Sequence, residues 1–247
     1  MARRVAPRPA AWRPPLPAQA SRRGLLSLFA LLLAVVPVPA RAEKNVSDKF
    51  SKDQWVVEQM PGGSVAFDAS AGSITITDKK GCTVWWRQKL SAPVVISYEV
   101  TMSADARVSD MNCFWMASDP ACPDDLFYAK AGTKNARTGK FSTYDALNLY
   151  YVGYGGNGNT TTRFRRYDGT GARPLLPEHD LADAAHLLKP GHTYKITLIA
   201  RDGEARFVRD GETVFSYKDP KPLTSGWFGF RTVWSKMQVK NFRVTAE

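Results

Sequence analysis

The 247-residue chain has only three cysteines and three histidines. His179, His186 and His192 show no ligand spacing relative to Cys82, Cys113 and Cys122, which argues against a zinc centre. The apolar run Leu25 to Val36 is about a dozen residues, short of the roughly 20 that a bilayer span needs. No repeat of 20 to 50 residues and no low-complexity linker divides the rest. Helix signals are scarce, the best being a short turn at Leu181 to Leu188 ended by Lys189-Pro190-Gly191. No strand carries the closely spaced carboxylates that flank one glycosidic bond in a retaining hydrolase; Asp124-Asp125 reads as a loop pair, and Glu178-His179-Asp180 follows a proline.

The first 42 residues contain no acid. Ser21-Arg22-Arg23-Gly24-Leu25-Leu26 leads into the apolar run, which closes on Pro37, Pro39 and Ala40-Arg41-Ala42. This pattern predicts an export peptide over residues 1–42, its paired arginines suggesting the twin-arginine route. The expected location is periplasmic or secreted, with no retained membrane anchor. Seven arginines lie in this segment, so the formal charge of +11 drops to +4 on the remaining 205 residues. Nucleic acid is therefore not an expected partner, whereas an acidic polysaccharide still suits the mild positive charge. In an oxidising compartment three cysteines make at most one bridge, and Cys113 and Cys122 are the candidate pair because they are closest in sequence. Export of an already folded chain would equally allow three thiols.

Residues 43–247 are a size compatible with one domain, read as a monomer, and the grammar is of short β-runs between turns. Ser73 to Thr77 alternates apolar with hydroxyl residues and ends in Asp78-Lys79-Lys80-Gly81. Thr83 to Arg87, Pro93 to Val100, Asn112 to Ala117, Leu147 to Tyr154 and Thr160 to Tyr167 follow as further strands. Asp202-Gly203 and Asp210-Gly211 mark tight hairpin turns between Thr193–Ala200, Ala205–Arg209 and Glu212–Tyr217, before final strands at Gly226–Thr232 and Met237–Val244. The expected fold is all-β, a two-sheet jelly-roll sandwich.

The densest chemistry lies in YYVGYGGNGNTTTRFRRYDGTG, Tyr150 to Gly171. Alternation puts Asn148, Tyr150, Val152 and Tyr154 on one strand face and Leu149, Tyr151 and Gly153 on the other. The first face reads as a cleft wall and the second as core; Phe164 is expected inward and Arg163 and Arg165 beside Tyr150 and Tyr154. Asn157 and Asn159 sit in a glycine-rich hairpin loop that allows a ligand close to the backbone. Guanidinium pairs with a uronate carboxylate, and a tyrosine ring offers an apolar face to a pyranose. In β-elimination the carboxylate is neutralised and a base removes the C5 proton. Arg163, Arg165 and Asn112 are the candidate neutralisers, and Tyr150, Tyr154 and His179 the candidate bases. Asn112 and Trp115 are further candidate sugar contacts, while hydrogen bonding explains Asp110. Trp85, Trp86, Trp227 and Trp234 read as core.

The closing sequence, from Tyr194-Lys195-Ile196-Thr197-Leu198 through Ser225-Gly226-Trp227-Phe228-Gly229-Phe230-Arg231-Thr232 to Val239-Lys240-Asn241-Phe242-Arg243-Val244, resembles the last strands of concanavalin A-like lectin/glucanase jelly rolls. Arg107 to Met116 and Tyr150 to Gly171 resemble a narrower bacterial family of exported proteins, named by a twin-arginine signal and a domain of unknown function. The resemblance implies fold, export and a link to carbohydrate, but no catalytic residue; the Gln-Ile-His strand of alginate-type lyases is absent. The resulting expectation is an exported protein acting on an anionic polysaccharide, either as a β-eliminating lyase or as a non-catalytic binding module, with a structural envelope role as a third alternative. No cofactor is implied, and a bracing calcium ion is left open.

Overall fold

A computed structural model describes residues 44–129 and 136–246. The expected export peptide lies outside the described residues. In chain order the strands are β1 (Lys44–Ser47), β2 (Trp55–Gln59), β3 (Ser64–Asp68), β4 (Ser73–Thr77), β5 (Cys82–Trp86), β6 (Leu90–Ser91), β7 (Val94–Met102) and β8 (Met111–Ser118). They continue as β9 (Asn148–Gly155), β10 (Thr161–Asp168), β11 (Asp180–Leu181), β12 (Thr193–Arg201), β13 (Glu204–Arg209), β14 (Glu212–Lys218), β15 (Ser225–Thr232) and β16 (Lys236–Ala246). One sheet runs β14-β13-β12-β7-β16-β4-β3, with β1 on β16; the other runs β11-β10-β9-β8-β15-β5-β2, with β6 on β15. This is the expected jelly-roll sandwich. Among the described residues no helix is long and apolar enough to cross a membrane.

The first sheet follows simple alternation. Val94, Ile96, Tyr98, Val100 and Met102 of β7 are buried, with half-buried residues between them. Tyr194, Ile196, Leu198 and Ala200 of β12 do the same, and together they form one face of the inter-sheet core. The two Asp-Gly turns close as expected, with Asp202, Gly203, Asp210 and Gly211 all at positive φ.

The second sheet is dry over much of both faces. Seven of eight residues in β8 and seven of eight in β9 are buried. Its inner face packs Cys113, Trp115, Tyr150, Val152, Tyr154 and Phe164 against the first sheet. Its outer face carries Trp85, Phe114, Leu149, Tyr151 and Tyr167, covered by Leu126, Tyr144 and Leu147 from the chain between β8 and β9.

That cover is fastened by two charged side chains. Glu58 of β2 pairs with Arg137 at 3.0 Å and accepts hydrogen bonds of 2.9 Å from both Trp85 Nε1 and Tyr144 Oη. Arg231 of β15 is fully buried, donates to Thr83 Oγ1 and the Gly139 carbonyl at 3.0 Å each, and stacks over the rings of Phe141 and Tyr144.

Two expectations are corrected here, the Cys113–Cys122 bridge and the burial of Trp234. All three cysteines are free thiols, so Cys113 and Cys122 are not bridged: Cys113 points between the sheets, whereas Cys122 closes a turn with Asp119 beyond β8. Burial pushes the Cys113 thiol up to about 12. The short turn expected within Leu181 to Leu188 is the 3₁₀ turn Ala184–His186, which follows β11. Trp234 is 60% exposed, not core.

Glu58→Gln leaves the buried Arg137 without its counter-charge. The variant is expected to lose about 3 kcal/mol of unfolding free energy in urea; a loss within measurement error would show that the cover does not depend on this pair.

Candidate functional site

Where β8, β9 and β10 run out beyond the cover, their outer faces form a cleft of about 260 Å³. Pairing sets its floor. Gly153 of β9 lies opposite Asn112 of β8 on one side and Arg163 of β10 on the other. In the next row Tyr151 lies between Phe114 and Arg165. The Tyr151 ring leans over Gly153, so that a Cβ there would sit 2.5 Å from the phenol oxygen. A glycine inside a strand often marks such a close approach.

This register reverses the expected faces. Phe164 pairs with Val152 and shares the inner face with Tyr150 and Tyr154, which places Arg163 and Arg165 with Tyr151 and Gly153 instead. The cleft therefore gathers Asn112, Asn157, Arg163 and Arg165 from the expected set, and adds Tyr151, Tyr167, Arg173, Phe141 and Asp110.

The remaining expected residues lie elsewhere, each for a physical reason. Tyr150 is core, its phenol donating to Asp219 at 2.8 Å and accepting from the Leu223 amide. Tyr154 accepts from Arg209 at 3.0 Å beneath Tyr194 and Phe207. Trp115 is fully buried against Tyr150 and Phe164. Asn159 ties the hairpin loop to Leu188 through both its amide atoms, and Asn148 pairs with Asp168 at the far end of β9. His179 is buried among Phe164, Phe215 and Tyr217, in a second hollow.

Three arginines line the cleft. Arg163 is held by both oxygens of Asp180 at 2.7 and 3.1 Å, and Arg173 by both oxygens of Asp145 at 2.8 and 2.6 Å. Arg165 donates to the Arg173 carbonyl and has no ion pair among the described residues. Arg173 also lies over the ring of Phe141, whose centroid is 4.6 Å away. Asp110, at positive φ, is the one carboxylate lining the cleft among the described residues; it accepts from Ser109 and, at 3.3 Å, from the Asn112 amide.

Two buried acceptor-capable atoms among the lining residues have no partner among the described residues: Asn112 Oδ1 and Tyr167 Oη. Buried polar atoms are rarely left so. Burial pushes the Tyr151 phenol well above its ordinary range, with Tyr167 and Asp110 adding to the rise. Burial likewise pushes Tyr167 up to about 12, against the opposing pull of Arg173. Both are neutral hydrogen-bonding phenols at neutral pH.

Comparison with known proteins places the chain. Residues 76–242 match the family described as a domain of unknown function (DUF6250), and the chain belongs to that family. Among curated proteins none matches its sequence. Among solved structures it is similar to a protein of unknown function with a galectin-like fold from Bacillus subtilis, at 19% identity and TM-score 0.63, over 82% of this chain and 96% of that one. It is also similar to the carbohydrate-binding module CBM66 from Bacillus subtilis, at 12% identity and TM-score 0.51, over 77% of this chain and 94% of the other. A prokaryotic β-1,3-1,4-glucanase from a mouse hindgut metagenome shares 11% identity at TM-score 0.50, over 83% of this chain and 99% of that one. At these identities the likeness establishes the sandwich fold.

His179 provides a check on the second hollow. Desolvation holds its imidazole below the ordinary value, with Glu178 acting the other way. The unfolded chain then takes up a proton below about pH 6.5 that the folded chain resists. Stability is therefore present above that pH and declines as pH falls. Replacing His179 by Phe is expected to flatten the decline in Tm between about pH 7 and 5; an unaltered slope would assign the titration to another group.

Proposed function

We propose that the protein binds an anionic saccharide in the cleft over Gly153. The observation that carries this reading is a guanidinium without an ion pair among the described residues, Arg165, beside unmet hydrogen bonding. Among the described residues, Arg163, Arg165 and Arg173 face a single lining carboxylate, beside an Asn oxygen and a Tyr hydroxyl without partners. A uronate ring supplies what this set lacks: a carboxylate for the guanidinium of Arg165, and hydroxyls for Asn112 and Tyr167. The Asp180 and Asp145 pairs hold Arg163 and Arg173 in fixed orientations before a ligand arrives, which lowers the ordering cost of binding. Likeness in fold to a carbohydrate-binding module and a glucanase is consistent with this reading. The export peptide expected over residues 1–42 would deliver the site to extracellular or periplasmic glycans.

Binding without cleavage fits the cleft better than catalysis. Elimination needs a base at C5, and no histidine lines the cleft. Tyr151 is the phenol nearest the Asn112 and Arg163 row, but its raised proton affinity keeps it protonated and favours hydrogen-bond donation. A lyase is the second reading, resting on Tyr151, Asn112 and Arg163 meeting around Gly153; there the phenolate would take the C5 proton as the C4–O bond breaks.

Calorimetric titration with uronate oligomers and neutral glucan oligomers tests both readings. Binding confined to the uronates, weakened about tenfold or more by Arg165→Ala, is expected. Gly153→Ala, which forces the Tyr151 phenol aside, is expected to weaken binding while leaving the far-ultraviolet dichroism intact. New ultraviolet-absorbing unsaturated ends would favour the lyase, and equal affinity for neutral oligomers would remove the anionic reading.

A further inference from the structure

The five other tryptophans among the described residues are at most 4% exposed, whereas Trp234 is 60% exposed. It projects from the turn between β15 and β16, one residue after Val233, which lines the cleft. Its backbone is held rather than loose. Trp234 sits at φ 48°, a region costly for a bulky L-residue, and its amide donates to Asp78 Oδ2 at 3.1 Å. Asp78 is itself buried, and its amide donates to the Ser235 carbonyl at 2.9 Å; the hydroxyls of Thr232 and Ser235 meet across the turn. The unfavourable dihedral and the exposed indole cost stability that burial of the ring does not offset.

The ring already has one cationic neighbour. The Arg107 guanidinium lies 4.9 Å from its centroid. A Cβ on Gly158 would approach Arg107 Nη2 to 2.9 Å, so the guanidinium bridges from the indole to the loop that carries the cleft-lining Asn157. Arg107 forms no ion pair among the described residues, so its charge is available to an anion.

We propose that Trp234 and Arg107 form a second subsite beside the cleft, a stacking platform for a further sugar ring with a cation for its carboxylate. The site then takes a chain of acidic residues, the first ring in the cleft and a later one on the indole. This rests on the reading of the cleft given above.

Calorimetry on the full-length chain with galacturonate, mannuronate, guluronate and glucuronate oligomers of one to six residues tests it. The wild type is expected to gain about tenfold in affinity once the oligomer is long enough to reach the indole, the scale of one stacked ring. Trp234→Ala is expected to abolish that gain while holding the shortest bound oligomer within about twofold, and Trp234→Phe to keep part of it. Trp234→Gly, which relieves the dihedral, is expected to leave Tm unchanged or higher. A full length-dependent gain in Trp234→Ala, or a clear fall in Tm for Trp234→Gly, overturns the subsite alone. Failure of the wild type to bind any of the oligomers overturns both the subsite and the cleft.

Discussion

The clasp of the β8–β9 connection onto the outer face of the second sheet decides where this molecule can bind anything. Without it, Trp85, Phe114, Leu149 and Tyr151 would face water as one apolar surface. Glu58 and Arg231 make the clasp specific, because each needs partners on the cover to leave water at a tolerable cost. Arg231 goes further, supporting Phe141 from one side while Arg173 lies over the same ring. The edge of the cover is thus fixed at Phe141, and the cleft begins where the cover stops.

Beyond that edge, the backbone of the β9–β10 hairpin shapes the site. Gly155, Asn157, Gly158 and Asn159 all take left-handed conformations, which asparagine and glycine tolerate. The loop is then locked by Asn159 to Leu188 and by the Asp110 amide to the Gly155 carbonyl. Its path sets the strand register, and the register alone puts two arginines on the outer face. A slip of one residue would bury both guanidiniums in the inter-sheet core and expose Phe164.

Much of the fold was legible in the sequence because the first sheet has one buried face. Alternation along β7 and β12, and the two Asp-Gly turns, carry that information directly. The second sheet resisted the same reading. In Leu149-Tyr150-Tyr151-Val152-Gly153-Tyr154 both faces are buried, so alternation splits the tyrosines without saying which half meets the other sheet. Gly153 was the available signal: a glycine within a strand leaves room for a neighbouring ring, and that ring is Tyr151. The cover left little trace, since it has neither period nor β-propensity. Nothing near Arg231 in the sequence announces the rings that surround it, and Trp234 reads as core because nothing local predicts a buried carboxylate holding its turn outward.

The balance of charge and proton affinity in the cleft bears on what it can do. Arginine near a phenol lowers its proton affinity, yet for Tyr151 burial and the neighbouring Asp110 carboxylate outweigh that pull. Asp180 and Asp145 take up much of the charge of Arg163 and Arg173, leaving Arg165 as the least compensated cation. An entering carboxylate would therefore meet one free guanidinium and phenols that donate rather than accept protons. Such a set stabilises a bound anion more readily than it removes a carbon-bound proton, because the same desolvation that strengthens the hydrogen bonds also opposes forming the phenolate.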